Sequence, residues 1–236
     1  VEKNDFVVNL KPTFAMYEVY GMMFGAQTIE VEYTASELGP RLDIDEILNV
    51  VVTNKPKLLC IANPDSPTGS VINPDLLERI LKTCEETGTV LLLDEAYHPF
   101  LEWTGVPWTK QYKNLIVVRT FAKAWGAAGL RIGYAVAHPE TAILLHKLRP
   151  MYETSTLAIE FISRMLDRAD VMESSVSSIK DSKIFFCNEM EKLGFKTLLT
   201  DGNFCHVAFG KRGAMLHKYL KNHVLYRESF SHPCLV

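Results

Sequence analysis

The chain has 236 residues, 47% of them hydrophobic, with 25 basic and 28 acidic side chains and a formal net charge of −3. That length suits one large domain or one and a half, with enough apolar content for a sizeable core. A near-neutral charge without any Lys/Arg-rich run argues against nucleic-acid binding, and no apolar run reaches the ~20 residues needed to span a bilayer.

The cysteines are Cys60, Cys84, Cys187, Cys205 and Cys234, an odd number with no CxxC pair. That pattern argues against a zinc site or a disulfide framework and points to a reducing compartment, the cytoplasm. The chain opens with VEKNDFVVNL, without an initiator Met or a signal peptide, and reads as a piece of a longer protein.

From the N-terminus, short apolar runs alternate with amphipathic stretches. Strands are expected at 6–10, 28–32, 57–62, 90–94, 115–119 and 132–137, and helices at 15–24, 43–53, 74–87 and 139–148. Runs such as VLLLD and LIVVR are apolar without alternation, which suits strands covered on both faces. The expected fold is therefore α/β, a mainly parallel sheet sandwiched by helices, over residues 1–148. From Thr154 the chain is long and helical with few breakers, and Gly194 ends that stretch as a C-terminal cap. A strand at 204–209 and a helix at 214–222 follow. Residues 149–236 read as a smaller α+β domain.

Ligands of open α/β sheets bind beyond the carboxyl ends of the strands. Three apolar runs lead into polar motifs there. KLLCIA leads into NPDSPTG (63–69), VLLLD into EAYHPF, and LIVVR into TFAKAWG. Singly, each has an ordinary explanation: a Pro-Thr-Gly turn, a helix-capping Asp, a surface Lys. Their order and spacing carry the weight.

With PTFAMYEVY (12–20), DEAYHPF (94–100) and TFAKAWGAAGLRIGY (120–134), the chain resembles the pyridoxal-phosphate (PLP) enzymes of the aspartate aminotransferase fold, and among them the histidinol-phosphate aminotransferase branch. The resemblance runs from Pro12 to about Phe209. It implies the fold type I large domain followed by a smaller domain, and PLP as cofactor. It implies Lys123 as the catalytic residue, whose amine holds the cofactor and moves a proton at the substrate. Ala122, Ala124 and Gly126 leave room beside that amine. Asp94 is implied to face the pyridine nitrogen, Tyr97 to reach the ring's O3′, and Thr120 and Arg131 to hold the phosphate. Gly129 and Gly133 would let the backbone come close. Phe14 falls where the family stacks an aromatic ring on the cofactor. Glu95 reads as a solvated or packing carboxylate, and His98 as a loop histidine.

Two positions depart from the family pattern. Ser66 stands where Asn usually contacts O3′, and Ala122 replaces the Ser often found before the lysine. The family's first phosphate-binding loop and N-terminal arm would precede Val1, and its substrate-gripping arginine would follow Val236. The implied activity is an aminotransferase of amino-acid biosynthesis. It would use an amino donor such as glutamate and a keto or aldehyde acceptor, phosphorylated in this branch, with imidazole-acetol phosphate as one example. A homodimer is implied, with no nucleic acid and no membrane. Two alternatives stay open. One is a PLP-dependent decarboxylase of an amino-acid phosphate, like threonine-phosphate decarboxylase. The other is an α/β nucleotide-binding module without PLP, which GxGxxG or GxxxxGK[ST] would mark; neither occurs.

Overall fold

The structure, a computed structural model, describes residues 1–227, so Cys234 lies outside the described residues. Its main element is a six-stranded sheet. β1 (Phe6–Lys11) is followed by α1 (Met16–Met23), β2 (Gln27–Glu32), α2 (Ile44–Asn54), β3 (Leu58–Ala62), α3 (Pro74–Thr87), β4 (Val90–Asp94), β5 (Leu115–Thr120) and β6 (Gly133–Ala137). The strand order is β2-β1-β3-β4-β5-β6. Every neighbouring pair is parallel except β5 with β6. This mostly parallel sheet with flanking helices agrees with the expected architecture.

The reason lies in side-chain type. β3 (LLCIA) and β4 (VLLLD) have apolar residues on both faces, so both faces must be covered. Leu59, Ile61, Leu91, Leu93 and Leu115 are fully buried or nearly so, together with Leu77 and Ile80 of α3. Each such leucine contributes about 2 kcal/mol by leaving water. The helices start where the sequence supplies caps. The Asp43 carboxylate accepts from the Asp45 and Glu46 N–H groups, and the Asn73 side chain accepts from the Asp75 N–H beside Pro74.

Beyond the sheet come α4 (Pro139–Lys147), α5 (Thr156–Leu166), α6 (Ala169–Lys192), β7 (Lys196–Leu199), β8 (Cys205–Ala208) and α7 (Gly213–Leu220). Two features differ from the sequence expectation. The long helical stretch after Thr154 carries a break that was not expected, at Asp167 and Arg168, between α5 and α6. Arg168 leaves the helical region and pairs with Asp170, which replaces a Gly or Pro breaker. The expected strand at 204–209 also has an antiparallel partner, β7. Four residues, KTLL, are too short to show a period. Gly194 has φ 81°, the left-handed conformation that ends α6.

Candidate active site

β3, β4 and β5 lie side by side and run the same way, so their C-terminal loops open along one edge of the sheet. The NPDSPTG loop follows β3, Asp94 closes β4, and Thr120 closes β5.

Asp94 is the polar centre of this edge. The Tyr17 hydroxyl donates to its Oδ2 at 2.6 Å, and the Ala96 N–H donates to Oδ1 at 2.8 Å. Burial pushes the Asp94 carboxyl above its ordinary range, while the Tyr17 and Ala96 donors and the Lys123 charge pull it back. The Tyr17 phenol is itself pushed up, first by burial and then by Asp94. Lys123 is exposed, with Nζ over the Tyr97 ring, 5.1 Å from its centroid. Tyr97 is buried. Phe14 is half-exposed and packs edge-on against Tyr17, with centroids 5.6 Å apart. A chain of contacts thus joins Phe14, Tyr17 and Asp94, and another joins Lys123 and Tyr97.

A cleft of about 180 Å3 is lined by Thr120, Ala122, Arg131, Ile132 and Gly133. The Thr120 hydroxyl oxygen accepts the Ala122 N–H at 3.0 Å. Arg131 is exposed and donates from Nη1 to the Ala128 carbonyl at 3.2 Å. Gly133 is needed sterically, since a Cβ there would lie 2.6 Å from the Arg119 carbonyl oxygen. At Gly129 no described atom lies within 4 Å of an added Cβ, so crowding among the described residues does not explain that glycine.

Ser66 is half-buried in the loop after β3. Its neighbour Asp65 is fully buried and accepts from the hydroxyls of Thr13 at 2.5 Å and Thr68 at 2.7 Å. Burial pushes the Asp65 carboxyl up to about 6 against the pull of those donors. Asp65 therefore ties the Pro-Thr-Phe turn, which carries Phe14, to the loop that carries Ser66.

Glu95 is a packing carboxylate. It is 1% exposed, pairs with Arg119 at 2.8 Å, and accepts from Thr104 and the Gly105 N–H. His98 is half-buried, and burial with the nearby Arg119 charge lowers its proton affinity. Reading by motif overlooked Tyr17 and Asp65. Tyr17, in the first turn of α1, follows Phe14 by three residues, a spacing visible in PTFAMY. Asp65 has no such local signal, because its partner Thr13 is 52 residues away.

The family model for aminotransferase class I and II matches residues 1–234. The chain belongs to that family. This class I and II chain is 33% identical over 229 residues to a histidinol-phosphate aminotransferase of Thermoanaerobacter sp., covering 97% of the chain and 63% of the relative. It is 34% identical over 226 residues to that of Cytophaga hutchinsonii, covering 94% of the chain and 62% of the relative. Among solved structures it is similar to the histidinol-phosphate aminotransferase of Sinorhizobium meliloti in complex with pyridoxal-5′-phosphate, with TM-score 0.82 and 26% identity. That match covers 94% of this chain and 61% of the other. The chain thus spans less than two thirds of the length of these relatives. No helix among the described residues is long and apolar enough to cross a membrane.

Proposed function

We propose that this chain carries the cofactor-holding part of a PLP-dependent aminotransferase of the histidinol-phosphate branch. The observation that supports it most is Asp94. A half-buried carboxylate that accepts from the neutral Tyr17 hydroxyl and Ala96 N–H, and feels the charge of an exposed lysine, has the chemistry to take a protonated ring nitrogen. The donor set at the other end fits as well, since a guanidinium and a hydroxyl around a small cleft match a phosphate.

Bound pyridoxal phosphate supplies an electron sink for the electron pair of a broken bond at the substrate's α-carbon. In this reading Asp94, held by Tyr17, keeps a proton on the ring nitrogen. Tyr97, and Ser66 in place of the usual amide, face O3′. Phe14 covers one face of the ring. Thr120 and Arg131 hold the phosphate. The Lys123 amine anchors the cofactor at rest, then takes the proton from the substrate's α-carbon.

The donor is an amino acid such as glutamate, and the acceptor is a phosphorylated keto compound such as imidazole-acetol phosphate. The full-length protein is a cytoplasmic homodimer, which sedimentation would reveal. The smaller α+β region at 149–236 supplies part of the substrate side, and the substrate-gripping arginine lies beyond it. The test is to incubate the full-length protein and its cofactor with glutamate alone. Conversion of the bound cofactor to its amine form, with release of 2-oxoglutarate, supports the reading. No conversion, with carbon dioxide released in a separate incubation with an amino-acid phosphate, would make the protein a decarboxylase.

A further inference from the structure

β8 lies far along the chain from the loops that carry the site, yet two of its neighbouring side chains reach them. His206 Nε2 lies 2.7 Å from the carbonyl oxygen of Pro67, the residue after Ser66. A carbonyl can only accept, so Nε2 carries the hydrogen and donates. Phe204, two residues earlier, packs edge-on against Tyr97 with centroids 5.4 Å apart, and the His206 ring packs edge-on against Phe204 at 5.6 Å. Tyr97 is the ring over which Lys123 Nζ lies.

The turn before β8 is braced. Lys183 of α6 donates to the Thr200 carbonyl at 2.6 Å and also to the Gly202 carbonyl. The turn is also packed tightly against the same loop, because a Cβ on Gly69 would lie 2.2 Å from Thr200 Cγ2. The segment from Thr200 to His206 is thus fixed to α6 on one side and to two cofactor-facing loops on the other.

We propose that His206 is a positioning residue, through which β8 sets the Ser66–Pro67 loop against the cofactor while Phe204 sets Tyr97. The proposal rests on the PLP reading of Ser66 and Tyr97. It assigns the C-terminal region a part in holding the cofactor. A hydrogen bond from a half-buried imidazole to a loop carbonyl fixes the loop's height, and Ser66 is short, so its hydroxyl depends on that height.

The experiment compares full-length wild type with His206→Leu, His206→Asn and His206→Gln. It reads the PLP dissociation constant, the visible circular dichroism of the bound cofactor, and the melting temperature of the cofactor-free protein. Glutamine places an N–H donor where Nε2 sits; asparagine places it too close to the backbone, and leucine has none. The expected result is about three- to tenfold weaker PLP binding and an altered visible dichroism for Leu and Asn, with wild-type values for Gln. If Leu does not fold, the contrast between Asn and Gln decides. Equal PLP binding and dichroism in all variants would overturn the proposal, as would equal losses in Gln and Asn. A wild-type protein that binds no PLP would instead sink the functional reading beneath it.

Discussion

At the scale of single residues, Asp94 can serve the proposed role only if it stays ionised at its half-buried position. The Tyr17 donor is the first influence that holds its proton affinity down. Tyr17→Phe removes that donor and leaves burial to act, so the Asp94 carboxyl moves further up. The acid limb of the pH–rate profile should then shift to higher pH, and kcat should fall about tenfold, as for a lost bond to a charged group. An unmoved acid limb would show that Tyr17 does not govern Asp94. The placement of Asp94 and Lys123 at the strand edge was legible because each closes or follows an apolar run. Tyr17 was not, because its partner is 77 residues away and only the folded sheet brings them together.

At the scale of elements, loops rather than strands carry the specific contacts, and buried carboxylates tie them. Glu95 with Arg119 joins the start of the loop after β4 to β5. Breaking such a buried pair from one side costs about 3–5 kcal/mol, because a charge is left without a partner. Asp65 joins the loops after β1 and β3 through neutral donors, the Thr13 and Thr68 hydroxyls and the Thr68 N–H. Its folded-state proton affinity, about 6, lies above the ordinary 3.8. The folded state therefore binds this proton more tightly than the unfolded chain does. The stability from protonated Asp65 is fully present below about pH 4 and is lost as pH rises through about 6. Relative to Asp65→Asn, wild-type stability measured by urea unfolding should drop by on the order of 3 kcal/mol across that window and then level off. A flat difference would mean that Asp65 is not buried in its charged form. The strands of the main sheet were legible to within a residue or two, most plainly β3, β4 and β5, whose runs are almost continuously apolar. β7 and the break before α6 were not, because KTLL has no period and Arg168 is not a breaker by type.

At the scale of the whole molecule, the parallel sheet presents three strand ends on one edge, and the region after α5 returns to that edge through β8. This return was invisible in the sequence, since His206 and Pro67 are 139 residues apart. Apolar side chains along and just after α4 and along α5 are exposed, among them Leu144 at 59%, Leu148 at 82% and Leu157 at 82%. A chain that spans under two thirds of its relatives, and that we read as half of a dimer, has surfaces of this kind to cover. The central claim is that one lysine holds the cofactor at the strand edge. Borohydride treatment of the full-length, cofactor-loaded protein, followed by digestion and mass spectrometry, tests it directly. The predicted result is a single pyridoxyl-phosphate mass on the peptide containing Lys123. Its absence, or its attachment to another lysine, would contradict the account.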